Sequence, residues 1–533
     1  MAVQSELAVA AEATSSSSQK NLEKYNALHS IGKNTLFGIV ASVFQIGTRF
    51  VTVPLVISHL GLGGYGIWSI IMTAASYMRF GSVGLKSAFQ KYVAEATGNG
   101  NYEHANQLLS TGSAAMLVLS LIGSGPIAIF SGPLAKMAGV PPEFLGSAAR
   151  SLSVLGLTMV IANAGAAYEA IVSGCQRIDL ARKFNTCLCV LEAGAIIAAL
   201  KIGWGLLAMT VIMAASELVF VGCCAVACRR VAPEFKLLPK YISPAVWKEL
   251  TRYAGSYQMV SVLQIIYGAI VPVATLRMFG ANAAGVIALA NRLVSPVTMC
   301  QSAFLVPILS SGAMIYASGA IDRMQALVVK SVRIMLGATF LPLALVSAFG
   351  SYLIKAWTNE SDPRFLAVLV LTSVATVFSG LALLGLVLYR ASGRALTDNI
   401  RELSRIFIIV LVTLGAARLG LYGVLGGVAL AELIGMIIMI FAIAKILPGF
   451  HPAVLLPTTV KMIAATAATT VFAAIAAGVV PDIVANARTE AAIRLGIAGL
   501  IVLVFGYPIF RAFGAIDKSE ALAIVSVIKK RAR

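Results

Sequence analysis

Arg292 lies near the middle of the apolar segment GVIALANRLVSPVTM, which spans residues 285–299 and contains no acidic residue. Arg49 lies in a similar position in the first hydrophobic segment of the chain. An arginine at the centre of a bilayer costs about 2.5–3.5 kcal/mol on insertion scales unless it faces water or a partner. The two arginines therefore predict either a hydrated cationic cavity that binds an anion, or buried ion pairs with carboxylates such as Glu192 or Glu217.

Polar residues of the first hydrophobic segment recur at intervals of three or four positions, so they share one stripe of a helix. The stripe consists of Ser42, Gln45, Arg49 and Thr52. Such a stripe is too polar to face lipid, and Gln264 occupies the matching place in the second half of the chain. We predict a substrate cavity that is lined by Arg292, Arg49, Gln45 and Gln264. Helix packing is the alternative role for the two glutamines.

Glu217 and Glu432 form an acidic pair at related places in the chain. Both fall within long apolar segments, in the similar tetrapeptides ASEL and LAEL. Two roles are open for them. They can bind a coupling proton or cation, or they can pack between helices as carboxylic acids that burial keeps neutral.

The sequence predicts no catalytic or metal-binding set. Its four histidines are far apart and lie outside the centres of the apolar segments, and the cysteine groups CLC and CC lack zinc-ligand spacing. No phosphate-binding P-loop is present in the sequence. We therefore expect that the protein is not an enzyme and needs no metal or cofactor.

The bulk composition is that of a membrane protein, with 59% hydrophobic residues, 12% charged residues and a mean hydropathy of +0.89. Segments of roughly 20 apolar residues, long enough to cross a bilayer as helices, recur along the chain. About 14 spans are predicted, at 36–60, 64–85, 110–131, 148–172, 184–200, 203–228, 253–279, 281–303, 334–357, 365–389, 403–418, 420–444, 462–479 and 492–510. The predicted fold class is an all-α integral membrane protein.

The distribution of lysine and arginine predicts the orientation in the membrane. With the N-terminus inside, most of the 41 Lys and Arg residues fall in inward segments such as 228–253, whereas the outward loop 59–66 has none. Both termini are therefore expected in the cytoplasm. The net charge of +19 is interpreted as this topology signal together with attraction to anionic membrane lipids, and not as binding of nucleic acid.

The two halves of the chain resemble each other at an offset of 219 residues. SVFQI at 42–46 and SVLQI at 261–265 differ at one position. Further matches at this offset are Gly61 with Gly280, Gly66 with Gly285, and Gly100 with Gly319. Six predicted spans separate equivalent positions, an even number, so the halves should have the same orientation. Two such lobes can rock against each other around a central cavity.

The predicted organisation follows from the spans and the repeat. Its parts are a polar cytoplasmic tail at 1–35, a six-helix lobe at 36–228, a cytoplasmic linker at 229–252, a second six-helix lobe at 253–444, two additional helices within 462–510, and a basic cytoplasmic tail at 511–533. The two additional helices lie outside the duplication.

Three segments resemble a known family. The opening hairpin, VTVPLVISHLGLGGYGIWSIIMTAASYMRFGSVGLKSAFQKYVAE, resembles the start of bacterial polysaccharide transport flippases of the multidrug, oligosaccharidyl-lipid and polysaccharide exporter superfamily. MFGANAAGVIALANRLVSPVTMCQSAFLVPILSSGA resembles its counterpart in the second lobe, and IVSGCQRIDLARKFN is similar to the segment that joins spans four and five. The resemblance covers roughly residues 30–450.

The resemblance implies an alternating-access flippase in the bacterial cytoplasmic (inner) membrane. Such proteins move an undecaprenyl-pyrophosphate-linked oligosaccharide from the inner to the outer leaflet for surface polysaccharide synthesis, including lipopolysaccharide and exopolysaccharide. The implied partners are this lipid-linked substrate, membrane lipids, and the polymerase and chain-length machinery. By similarity, Arg292 matches a cavity arginine of related lipid II flippases, whereas Arg49 lies on the corresponding helix but departs from their first-span charge pattern.

Three alternatives remain open at the level of sequence. A drug or cation antiporter of the same superfamily is the nearest, although members that resemble that branch carry acidic residues in the first lobe and span one here has none. A membrane-embedded polysaccharide-synthesis enzyme would need a larger outward loop than the sequence predicts. A transport-inactive scaffold would use the cytoplasmic segments 86–109 and 511–533 as docking surfaces.

Overall fold

The computed structural model describes residues 44–79, 83–175, 177–360, 362–391, 396–415, 419–478 and 487–514. Within these ranges the regular structure is entirely helical, which confirms the predicted all-α fold class. Ser42 of the predicted stripe, the tail 1–35 and residues 515–533 of the basic tail lie outside the described residues.

The described chain forms 16 helices and two short 3-10 segments. The helices of the N-terminal half are α1 (Phe44–Arg79), α2 (Val83–Asn99), α3 (Tyr102–Ile129), α4 (Ser131–Met137), α5 (Pro142–Ala164), α6 (Ala166–Gly174), α7 (Ile178–Lys201) and α8 (Leu206–Val231). Those of the C-terminal half are α9 (Pro244–Ala317), α10 (Ile321–Ala348), α11 (Gly350–Thr358), α12 (Phe365–Ala391), α13 (Leu396–Gly415), α14 (Gly420–Ile446), α15 (Leu455–Gly478) and α16 (Ala487–Ala512). The 3-10 segments are Pro239–Tyr241 and Pro452–Val454.

The helix pattern is that of a multi-pass membrane protein. Ten helices of the described chain are long and apolar enough to cross a membrane, and the bent α16 raises the number to 11. The predicted number of 14 is not confirmed. Gly61 and Gly280 interrupt α1 and α9 at the predicted boundaries between spans. α13, a predicted span, is not among these helices because charged residues interrupt its sequence.

Two compact units can be distinguished from the contacts of the described residues. The first consists of residues 1–52, 81–129 and 153–255, and the second of 53–80, 130–152 and 256–533. Each unit has its own core of large apolar side chains, with Phe89, Leu108 and Ile171 in the first and Met335, Leu384 and Phe510 in the second. The division into two six-helix lobes stays a prediction.

The predicted repeat has a counterpart in the backbone. Gly61 and Gly280 have φ values of 70° and 83°, and Gly100 and Gly319 have values of 76° and 69°. A positive φ is a conformation that L side chains rarely adopt, so glycine is favoured at such bends. Both members of these two predicted pairs therefore have a positive φ, as expected for duplicated hairpins.

The second unit contains a reciprocal crossing of two glycines. A Cβ atom added to Gly66 would lie 2.5 Å from the backbone nitrogen of Gly285, and one added to Gly285 would lie 3.0 Å from the carbonyl carbon of Leu62. Backbone atoms cannot yield as a flexible side chain does. Leu62 and Ala281, which contacts Gly66, are also separated by the repeat offset. The crossing therefore joins equivalent positions of the two halves.

A valine at Gly66 should open this crossing, because its side chain would overlap backbone atoms of the neighbouring segment. We expect Gly66→Val to cost about 1–3 kcal/mol in stability and to expose Ala283, which is buried beside the crossing. The measurement is the rate of thiol labelling of Ala283→Cys in a background without native cysteines. Gly499→Val is the matched control, because a Cβ there meets nothing within 4 Å. Equal labelling in both backgrounds would contradict the prediction.

Candidate functional site

Arg292 is half-buried on α9, between residues with fully buried side chains. Leu289 and Ala290 precede it and Leu293 and Val294 follow it, and each is buried. The guanidinium has no ion pair or hydrogen bond with any described residue. A charged group held in this way needs another source of solvation, since an unpaired charge inside a membrane is costly.

Polar residues extend from Arg292 along one accessible face of α9. Asn291, Thr298 and Ser302 are exposed and Ser295 is half-buried. Their spacing of three or four positions places them on one side of the helix. The hydroxyl of Ser295 donates to the Arg292 carbonyl at 2.9 Å, and Ser302 donates to the Thr298 carbonyl at 2.9 Å. These hydroxyls bond to the backbone of their own helix and do not engage the guanidinium.

Gln264 lies on the same helix and in the same unit as Arg292. Its side chain is half-buried. More than 20 residues, and the bend at Gly280, separate the two positions along α9. Their common membership of one cavity stays a prediction.

Gln45 and Arg49 belong to the first unit, at the start of α1. Gln45 is half-buried and its Nε2 donates to Oδ1 of Asn185 on α7 at 2.6 Å. Thr48, one turn further, contacts the sulfur of Cys189 at 3.3 Å. This face of α1 therefore packs against α7 through polar side chains, whereas the side chain of Arg49 is exposed.

Glu217 and Glu432 differ in their surroundings. Glu217 is half-buried on α8 in the first unit. Glu432 is only 4% exposed on α14 in the second unit. The two residues correspond in the repeat only with a slip of four positions from the offset of 219, and they differ in burial.

Glu432 belongs to a buried cluster of ionised groups. Nη2 of Arg405 donates to Oε1 of Glu432, and Nη1 of the same arginine donates to Oε2 of Glu402 at 2.7 Å. Arg401 donates to the other oxygen of Glu402. Each of the four residues is 8% exposed or less. Two guanidiniums and two carboxylates balance in charge, which is what permits all four to be buried.

Two neighbouring residues shape the cluster. Tyr267 on α9 donates its hydroxyl to Oε1 of Glu432 at 3.0 Å, and its ring centroid lies 3.9 Å from Cζ of Arg405. Gly435 lies one turn beyond Glu432, and a Cβ there would meet Arg405 and Arg401 at 3.5 and 3.6 Å. The small residue therefore leaves room for the stems of both arginines beside the carboxylate.

Sequence reasoning missed three members of this cluster. Arg401 and Glu402 lie before the predicted span 403–418 and Arg405 lies at its edge, so the hydropathy pattern does not mark them as buried. The pattern RELSR contained the signal, because positions 401, 402 and 405 share one face of a helix. The structure places that face against α14 and buries it.

Removal of the Glu432 carboxylate should destabilise the protein, because Arg405 would keep a buried charge with one partner fewer. We expect Glu432→Ala to lower the free energy of unfolding by about 3–5 kcal/mol, measured by thermal unfolding in detergent. Glu217→Ala is the matched control from the other half, and its smaller burial predicts a smaller loss. Glu432→Gln tests the charge alone. If this variant unfolds at the wild-type temperature, the carboxyl group is neutral and the ion pair is not formed.

Comparison with known proteins identifies the fold. Residues 39–197, less than half of the chain, match the family model described as MatE. No curated protein sequence matches the chain at a significant level. Among solved structures, the lipid II flippase MurJ in an inward closed conformation has a TM-score of 0.68 at 14% identity, over 90% of this chain and 99% of that one.

Two further structures belong to transporters. An inward-facing multidrug resistance MATE family transporter of the MOP superfamily has a TM-score of 0.58 at 17% identity, over 78% of this chain and 94% of that one. A MOP superfamily transporter from Pyrococcus furiosus, described by a reverse polarity of its binding pocket, has a TM-score of 0.57 at 14% identity, over 78% and 96%. These matches show that the chain has the all-helical fold of MATE and MOP superfamily transporters.

Proposed function

We propose that the protein is an alternating-access flippase that moves a pyrophosphate-linked oligosaccharide on a polyprenyl lipid from the inner to the outer leaflet of the bacterial cytoplasmic membrane. The observation that carries the proposal is the partial burial of Arg292 without an ion pair to any described residue. Its guanidinium is half-buried on a membrane helix, has no ion pair with any described residue, and borders an accessible polar face. An anionic ligand would supply the partner that the described residues do not.

The chemistry of a pyrophosphate fits this position. A guanidinium stays charged at every physiological pH and offers planar, paired donors that match phosphate oxygens. The hydroxyl and amide groups of Ser295, Thr298, Ser302 and Asn291 line the adjacent face, and such groups can replace water around sugar hydroxyls. Arg49, Gln45 and Gln264 are proposed to complete the cavity.

The glycine crossing supports alternating access. Leu62, Gly66, Ala281 and Gly285 bring equivalent points of the two halves into backbone contact. In the predicted orientation this crossing lies on the outer side of the membrane, where an alternating-access transporter needs a contact that opens and closes. A crossing without bulky side chains can separate and re-form with little rearrangement of packing, as a rocking motion of two lobes requires.

The two glutamates remain candidates for coupling to a proton or cation. Proton binding at Glu432 would remove one of the two carboxylates that neutralise Arg401 and Arg405, so coupling there requires the ion pair with Arg405 to open. Glu217 is half-buried on α8 and lies outside this cluster. Both glutamates stay candidates for the coupling residue.

A drug or cation antiporter is the second candidate, and the fold is equally consistent with it. Multidrug transporters are among the structural neighbours, and the Pyrococcus furiosus protein, described by a reverse polarity of its binding pocket, illustrates that this fold accommodates pockets of opposite charge. The ion-paired state of Glu432 argues against a cation site at that carboxylate, since Arg405 already occupies it.

Substitution of Arg292 should impair transport without loss of the protein. In liposomes that contain a fluorescent lipid-linked oligosaccharide, we expect Arg292→Ala to slow its transfer between leaflets by about tenfold or more, as charge-assisted hydrogen bonds are worth about 1.5–3 kcal/mol. Arg292→Lys should retain part of the rate because it keeps the charge. Arg150→Ala is the matched control, because Arg150 is an exposed arginine of the same unit whose Nε bonds to the Gly146 carbonyl.

The same assay separates the two candidate functions. Wild-type transfer of the lipid-linked oligosaccharide, together with no extrusion of cationic dyes, is the expected result. Dye extrusion with no lipid transfer would establish the antiporter instead. In cells, Arg292→Ala should abolish export of surface polysaccharide at a normal protein level, and full export would refute the anion site.

A further inference from the structure

A groove on the first unit runs between α7 and α8. It has a volume of about 560 Å³, within the range of about 300–1,000 Å³ that is usual for small-molecule sites. Leu180 and Phe184, one turn apart on α7, form one wall. The other wall is a stripe of α8 that contains Val219, Gly222 and Val226.

Gly222 gives the groove its width. A Cβ atom added to this residue would meet nothing within 4 Å, so the space opposite the glycine is open. The stripe from Val219 to Arg230 extends over about 16 Å at the rise of an α-helix. The groove is therefore elongated and apolar, which suits an extended hydrocarbon chain better than a compact polar ligand.

The side chains beside the groove face lipid. Val219 and Val226 are 50% and 51% exposed, and Leu218 is 38% exposed. In a membrane helix such apolar exposure is satisfied by lipid tails, whereas a water-filled cavity would be lined by polar groups. The groove consequently opens to the bilayer.

A basic residue lies at one end of the groove. Arg230 lines it at the last turn of α8 and is exposed. It has no ion pair or hydrogen bond with the residues that the structure describes. The nearby carboxylate of Asp179 on α7 is engaged by Arg177 at 3.2 Å and by Lys183 at 3.9 Å. The mouth of the groove therefore carries a cation without a protein counter-ion at the level where the span ends.

We propose that this groove binds one acyl chain of an anionic glycerophospholipid whose phosphate contacts Arg230. An apolar channel that ends in a single exposed arginine matches a lipid with one charged headgroup in both shape and charge. The site is separate from Arg292 and does not rest on the proposed function. In the predicted orientation, Arg230 is cytoplasmic and the lipid belongs to the inner leaflet.

The proposal can be tested by binding of phosphatidylglycerol to the delipidated full-length protein in neutral detergent. Phosphatidylcholine is the reference lipid without net charge, and native mass spectrometry measures how much of each lipid the protein retains. Wild-type protein should retain phosphatidylglycerol in preference to phosphatidylcholine. Gly222→Phe should weaken retention at least about tenfold, because the new side chain fills the groove and several methylene groups lose their buried surface. Gly194→Phe is its control, since Gly194 also lies in open space, on α7 away from the groove lining.

Arg230→Gln tests the headgroup contact. It should weaken retention about fivefold, the effect of one basic residue near an anionic headgroup, and added salt should reduce this difference. Arg229→Gln is the control, because Arg229 is exposed beside Arg230 but does not line the groove. Circular dichroism and gel filtration verify that each variant is folded, and the two sites of substitution act independently.

Four results would overturn the proposal. The first is equal retention of both lipids by the wild type, and the second is unchanged retention of phosphatidylglycerol by folded Gly222→Phe. The third is an equal loss of phosphatidylglycerol retention in Arg229→Gln and Arg230→Gln. The fourth is displacement of bound phosphatidylglycerol by a polyprenyl phosphate at a lower concentration than is needed with free phosphatidylglycerol. The last result would assign the groove to a transported lipid.

Discussion

The free-energy cost of a guanidinium inside a bilayer constrains where each arginine of the second unit can lie. Arg401 and Arg405 meet this constraint through Glu402 and Glu432, and they are buried. Arg292 is half-buried beside accessible polar groups and has no such partner among the described residues. The two arrangements assign different roles to the same residue type. The first joins α13 to α14, and the second leaves a charge available to a ligand.

The two halves of the chain are more similar in backbone conformation than in the surroundings of their polar side chains. Gly61 and Gly280 share a left-handed bend, and Gly66 and Gly285 meet in one crossing. Only small residues permit that approach, so both copies are constrained by the same contact. Glutamates at related positions are not constrained in this way, and Glu432 is part of an ion cluster whereas Glu217 is half-buried on α8. The two halves therefore share these glycine features of the backbone and differ in the surroundings of their glutamates.

The apolar pattern of each segment made the fold class and most helices predictable. An apolar segment that crosses a bilayer has to be helical, because only its own backbone can supply the hydrogen bonds that water does not. The number of spans was harder to predict. α13 carries buried charges that a hydropathy pattern assigns to the surface, and its partner Glu432 lies 27 residues beyond Arg405. An ion pair of this kind depends on tertiary contacts and cannot be predicted from the sequence of one segment. The lack of an ion pair between Arg292 and any described residue agrees with its own segment, which contains no acidic residue that could neutralise it. The role of Arg292 as a site residue stays a prediction.

The neutral cluster also bears on the selectivity of an anion site in the same unit. An ionised Glu432 without Arg405 would place a negative charge in a low-dielectric region, where charge interactions act over long distances. It would oppose an incoming pyrophosphate and attract cations. With two guanidiniums balancing two carboxylates, the field of the cluster falls off rapidly with distance. Under the proposed function, this balance would leave the positive potential of Arg292 to act on the substrate, and the ion pairs of α13 and α14 would contribute to charge selection as well as to helix packing.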